Sequence, residues 1–154
     1  MKLLVAIFLV LILTVIGFYF QTTEPSDMKE FRNSLCQAAR SKPSSPIKLS
    51  NMATTDWEKI YIFGPYTSKE TVESDLGFKW NGFDETGISL EDSVNLILFL
   101  SKDNEVKWVK IPRNCGDFEI SSDENVITRN NDEFVVTEEN RGGPWLVLKP
   151  LGKM

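Results

Sequence analysis

Cys36 and Cys115 are the only thiol-bearing residues in a chain of 154 residues that contains no histidine. Without histidine, nucleophile–His dyads and triads, the commonest zinc sites and the default proton shuttle near neutral pH are all excluded. The two cysteines are too few for a zinc site and are not spaced as the C-x-x-C of a redox pair. In an exported domain an isolated pair is most simply one disulfide, with two buried thiols as the alternative. Such a bridge would close a loop of roughly 79 residues and stabilise the fold by roughly 4 kcal/mol through chain entropy. Ser45-Pro46-Ile47-Lys48 spells S-x-x-K, the nucleophile pattern of one hydrolase class. It lies in a Pro-rich loop rather than opening a helix, and the S-D-N and K-T-G companions are missing.

Carboxylates are the remaining source of chemistry. Asp117, Glu119, Asp123, Glu124, Asp132, Glu133, Glu138 and Glu139 face a single Arg129 between residues 117 and 139. Nothing in their spacing singles out an acid–base pair, and the spacing does not match an EF-hand calcium loop. A solvated loop and strand edge is the plain reading. The sharper one is a docking surface for a basic partner, carried by Asp117, Glu119, Asp123, Glu124, Asp132 and Glu133. Trp80 and Phe83, which flank the turn Asn81-Gly82, are candidate aromatic anchors for the same partner. No cofactor, metal or catalytic residue is expected.

The segment that delivers these groups is the first 20 residues. Leu3 to Phe20 carries no charge, and as a helix it would span about 27 Å, close to the hydrocarbon core of a bilayer. Only a helix satisfies its own backbone polar groups there. Lys2 precedes the run while Glu24 and Asp27 follow it, so the positive-inside bias leaves the N-terminus in the cytoplasm and exports the remainder. A cleaved signal peptide is the rival reading. The run is longer than usual for one, and Phe18, Tyr19 and Phe20 stand where small residues would be needed. The expected organisation is a transmembrane anchor over 1–20, a spacer over 21–25 and a single extracytoplasmic domain over 26–154. Beyond the first 20 residues the chain holds all 22 Asp and Glu but only 16 of the 17 Lys and Arg. Its acidic balance excludes nucleic-acid binding and disfavours anionic lipid head groups.

Within the domain, Met28, Phe31, Leu35 and Ala38 recur on one helical face, predicting a helix from Ser26 to about Arg40. The stretch from Ser41 to Pro46 stops it as a loop. Trp57 to Phe63 reads as an interior strand, with Trp57, Tyr61 and Phe63 on one face and Ile60 and Ile62 on the other. Thr67-Ser68-Lys69-Glu70 fits a capping box with Thr67 as the cap; the helix it opens ends at Gly77. Residues 78–92 read as irregular. Val94 to Leu100 and Glu105 to Ile111 form one predicted hairpin, and Glu133 to Thr137 with Trp145 to Leu148 a second. The expected class is α+β: an antiparallel sheet of about four to six strands with one or two helices on a face.

The run Asp56-Trp57-Glu58-Lys59-Ile60-Tyr61-Ile62-Phe63-Gly64-Pro65-Tyr66-Thr67, followed by Leu76-Gly77-Phe78-Lys79-Trp80, resembles a pattern in small bacterial lipoproteins and membrane-anchored envelope proteins. The likeness extends loosely through Val94–Leu100 and Glu105–Pro112, about half the chain. It implies an envelope location and no activity. No cysteine closely follows the apolar run, so a lipoprotein-type anchor is not expected. The sequence thus points to a membrane-tethered, non-enzymatic module binding another envelope protein or a ligand. The alternative is an immunity or exclusion protein neutralising an incoming basic toxin or phage factor.

Overall fold

Three- and four-residue spacing of apolar side chains in an otherwise polar stretch dictates the first element, α1 (Ser26–Ser41). The computed structural model describes residues 26–41, 45–120 and 125–151; the expected anchor and spacer over 1–25 lie outside them. Among the described residues no helix is long and apolar enough to cross a membrane. After α1 the chain forms β1 (Ile47–Lys48), β2 (Lys59–Phe63), α2 (Lys69–Leu76), α3 (Phe83–Thr86), β3 (Val94–Leu100) and β4 (Val106–Pro112). It finishes with β5 (Asp117–Phe118), β6 (Val126–Ile127), β7 (Glu133–Asn140) and β8 (Pro144–Pro150).

The α+β class holds, but the strands divide into two four-stranded sheets instead of one. The first has the order β4-β3-β2-β6 and is antiparallel throughout. The second has the order β1-β7-β8-β5, with β5 and β8 parallel. Both predicted hairpins form, β3 with β4 and β7 with β8. The second sheet escaped the sequence reading because β1 and β5 are two residues each, too short to show an alternation.

The first sheet is covered on both faces, which is why all seven residues of β3 are buried and all but Asn95 are apolar. On one face Ile60, Ile62, Ile97, Phe99, Val109 and Ile111 pack with Phe31 and Leu35 of α1 and with Phe134 and Leu148 of the second sheet. On the other, Tyr61, Phe63, Leu96 and Leu98 pack with Val72 and Leu76 of α2 and with Phe83 and Ile88. Trp57 corrects its expected side. It precedes the ladder and packs with Ile60 and Ile62, so the two-residue parity of β2 does not reach it. In α1 the buried stripe ends on Ala39, with Ala38 only half-buried, as a 3.6-residue period requires.

The cap of α2 is also corrected by one position. Ser68 has extended backbone angles and its hydroxyl accepts from the Thr71 N–H, whereas the Thr67 hydroxyl donates back to the Gly64 carbonyl. At the other end Gly77 adopts φ +79° and its N–H donates to the Glu73 carbonyl, the left-handed termination expected of glycine.

Helix α1 runs alongside β4 in the same direction. Near its start the Lys107 ammonium donates to Asp27 Oδ2 at 2.9 Å. Towards its end Cys36 and Cys115 form a disulfide with Cα atoms 4.8 Å apart, just beyond β4. The molecule therefore has two poles. The near pole holds the first turn of α1 and the β3–β4 turn. The far pole holds the end of β2, the start of β3 and the end of β4.

Candidate functional site

Polar groups and hollows gather at the far pole around one buried acid. Asp117, at the start of β5, is 7% exposed. Arg113 grips it with two hydrogen bonds, Nε to Oδ1 at 3.2 Å and Nη2 to Oδ2 at 2.6 Å. The Asn95 amide, from β3, donates to Oδ1 at 3.1 Å, and Arg141 from the β7–β8 turn reaches Oδ2 at 3.4 Å. Burial pushes the Asp117 carboxyl up, but the bonds from Arg113 and Asn95 outweigh it and hold the group below the usual carboxylate range. Those bonds raise the Arg113 guanidinium in turn. Arg113 also donates to the Asp92 carbonyl at 3.2 Å, and its guanidinium lies 5.6 Å from the centre of the Trp145 ring.

Above this clamp lies a trough. One hollow of about 470 Å³ is bordered by Asp92, Ser93, Arg113, Asn114 and Trp145. A second of about 350 Å³ shares Arg113, Asn114 and Trp145 and adds Arg40 and Glu138. A third continues along the β7–β8 turn through Glu138, Pro144 and Gly143. The last turn of α1 supplies Arg40, whose Nη2 lies 3.5 Å from Cys115 Sγ. The disulfide therefore fixes one wall of the trough against its floor.

Beside the trough the far pole presents its exposed apolar groups. Tyr66 is 61% exposed and Leu90 88%. Tyr66 takes φ +58°, a left-handed conformation that a bulky residue adopts only when its surroundings enforce it. Its N–H donates to the Ile88 carbonyl at 3.1 Å, which brings the Gly64-Pro65-Tyr66 turn against the turn that carries Leu90.

The structure revises the expected docking residues. Asp117 and Asp132 are buried, the latter at 1% exposure with the Ser50 N–H donating to it at 2.8 Å. Both carboxylates satisfy internal groups, so neither belongs to an exposed acidic face. Phe83 is buried against α2 and β3 at 4% exposure and is no surface anchor. Trp80 is half-buried, with its ring against Gly82, where an added Cβ would meet it at 2.8 Å. Glu119 is exposed and pairs with Lys149 at 3.2 Å; Glu133 is half-buried and pairs with Lys48 at 3.5 Å. Asp123 and Glu124 lie outside the described residues. Among the described residues no group of three or more Cys, Asp or Glu is placed to hold a metal ion.

Sequence reasoning missed Tyr66, Leu90, Arg113 and Trp145. Leu90 stands in a segment without periodicity, and Tyr66 read only as part of a turn and helix entrance. Trp145 read as one residue of a strand. Comparison with known proteins gives no match, whether to a family model, a curated protein or a solved structure.

Proposed function

We propose that the chain is a membrane-tethered, non-enzymatic module of the bacterial envelope that binds a protein partner through its far pole. The observation that carries this reading is the exposure of Tyr66 and Leu90, two large apolar side chains on neighbouring turns joined by the Tyr66 N–H to Ile88 carbonyl bond. Exposed tyrosine and leucine in a rigid frame supply contact area at little entropic cost. Exposed carboxylates flank them. Asp92 follows Leu90 closely and Glu70 follows Tyr66, while Asp84 and Glu85 lie on α3, so a basic partner would be drawn to this end. The tether rests on the apolar run Leu3 to Phe20, and an extracytoplasmic location rests on the charge asymmetry around it. The resemblance of the Asp56–Trp80 region to envelope proteins agrees with both.

A photo-cross-linking residue at position 90 of the full chain, in intact cells, tests the proposal against the same residue at position 102 on the near pole. The expected result is one discrete protein adduct from position 90, lost on Tyr66→Ala and not formed from position 102. No adduct from position 90, or the same adduct from both poles, would overturn the assignment. Cleavage of the domain by protease supplied outside the cytoplasmic membrane is expected; protection there would overturn the location.

A further inference from the structure

We propose that the trough at the far pole is a saccharide-binding site with Trp145 as its platform, a function separate from the protein partner and independent of the tether. A pyranose ring has an apolar C–H face and a rim of hydroxyls, each of which donates and accepts. It is therefore held by an aromatic face with donors and acceptors interleaved around it and little net charge. The trough has this composition. Trp145 is half-buried and borders the hollows of about 470 and about 350 Å³. Around it stand Asn114, which offers both donor and acceptor, Ser93, the donor Arg40 and the acceptors Asp92 and Glu138.

Rival ligands fit less well. An anion would meet an Arg113 already committed to Asp117 and to the Asp92 carbonyl, with Glu138 and Asp92 as like charges nearby. A purely apolar ligand would strand the polar lining without partners. The hollows share residues from one to the next, through Trp145 and then Pro144. An elongated trough of this kind accommodates a short oligosaccharide better than a single ring. Individual volumes of about 470 and 350 Å³ are in the range of small-molecule sites.

The test uses the full chain in lipid nanodiscs, since glycoside detergents would compete for the site. Cellotriose, maltotriose and chitotriose serve as neutral probes, and benzoate as an anionic one, each read by saturation-transfer NMR. At least one trisaccharide is expected to receive saturation, strongest on the C–H protons of one ring face. Trp145→Ala should abolish the transfer and Trp145→Phe should retain it. Asn114→Ala, at an exposed position, should weaken binding about fivefold, the effect of one lost hydrogen bond; it keeps the test decisive if Trp145→Ala fails to fold. Three results would each overturn the site: no transfer to any trisaccharide, unchanged transfer in a folded Trp145→Ala or Asn114→Ala protein, or binding of benzoate alone with dependence on Arg40. Loss of the cross-link from position 90 would leave this site standing, so the two proposals fail separately.

Discussion

At the scale of the residue, Asp117 decides how the far pole is built. Its carboxylate is removed from water and compensated by two arginines and an asparagine drawn from three separate stretches of chain. Asp117→Asn should lower stability by about 2–3 kcal/mol at neutral pH. Removing one partner of a buried ion pair costs more than that when both are buried, and here Arg113 and Arg141 keep contact with water, at 30% and 43% exposure. The folded-state pKa lies below the ordinary value of 3.8. The stabilisation is therefore fully present above that value and is lost as pH falls below it, through the folded pKa. Urea unfolding at pH 7, 5 and 3 is the measurement: the gap between wild type and Asp117→Asn should persist at pH 5 and narrow at pH 3, and a pH-independent gap would contradict the account. None of this was legible in the sequence. Asp117 stands among acids, and its partners Asn95 and Arg141 lie 22 and 24 residues away, so a composition-based reading counts it as surface. The cysteines were legible, because an isolated pair in a chain without histidine, read as exported, has few uses other than pairing with each other.

At the scale of the element, legibility follows length. Sixteen residues of α1 and the seven-residue strands β3 and β4 repeat their pattern often enough to declare themselves. The two-residue strands β1, β5 and β6 exist only because longer neighbours recruit them. The entrance to α2 shows the finer limit. Thr67 and Ser68 are adjacent hydroxyl residues, and the choice of cap is made by the Gly64-Pro65-Tyr66 turn, which engages the Thr67 hydroxyl first. Ser68→Ala should therefore lower stability by about 1 kcal/mol, the usual effect of losing an N-cap. Thr67→Ala should cost less, since it removes one exposed turn bond and leaves the Thr71 N–H satisfied. Thermal unfolding of the two variants side by side checks the order, and a larger loss at Thr67 would return the cap to that residue. The candidate site was illegible for the same reason as the short strands. Tyr66, Leu90, Arg113 and Trp145 belong to connections or strand ends, where periodicity gives no direction to a side chain.

At the scale of the whole molecule, the arrangement is a doubly covered sheet with α1 laid along β4, fastened by an ion pair at one end and a covalent bridge at the other. Replacing Cys36 and Cys115 together with alanine should lower stability by up to about 4 kcal/mol, because the closed loop is long. The loss should be local as well as global. Amide exchange is expected to quicken in the last turn of α1 and in the turn through Asn114, while the Lys107–Asp27 end keeps its protection. Uniform quickening over the whole of α1 would argue against two independent fastenings.

The same arrangement governs how the domain answers tension. A pull on its N-terminus loads α1 lengthwise against β4, so the contacts between them must slide together rather than peel apart one by one. Any unravelling that starts there halts at Cys36. The residues between the bridged positions form a covalently locked ring that adds no slack until the sulfurs are reduced. Stretched from its two ends, the oxidised protein would pay out only the chain outside the bridge, while the reduced one would release the residues between Cys36 and Cys115 as well.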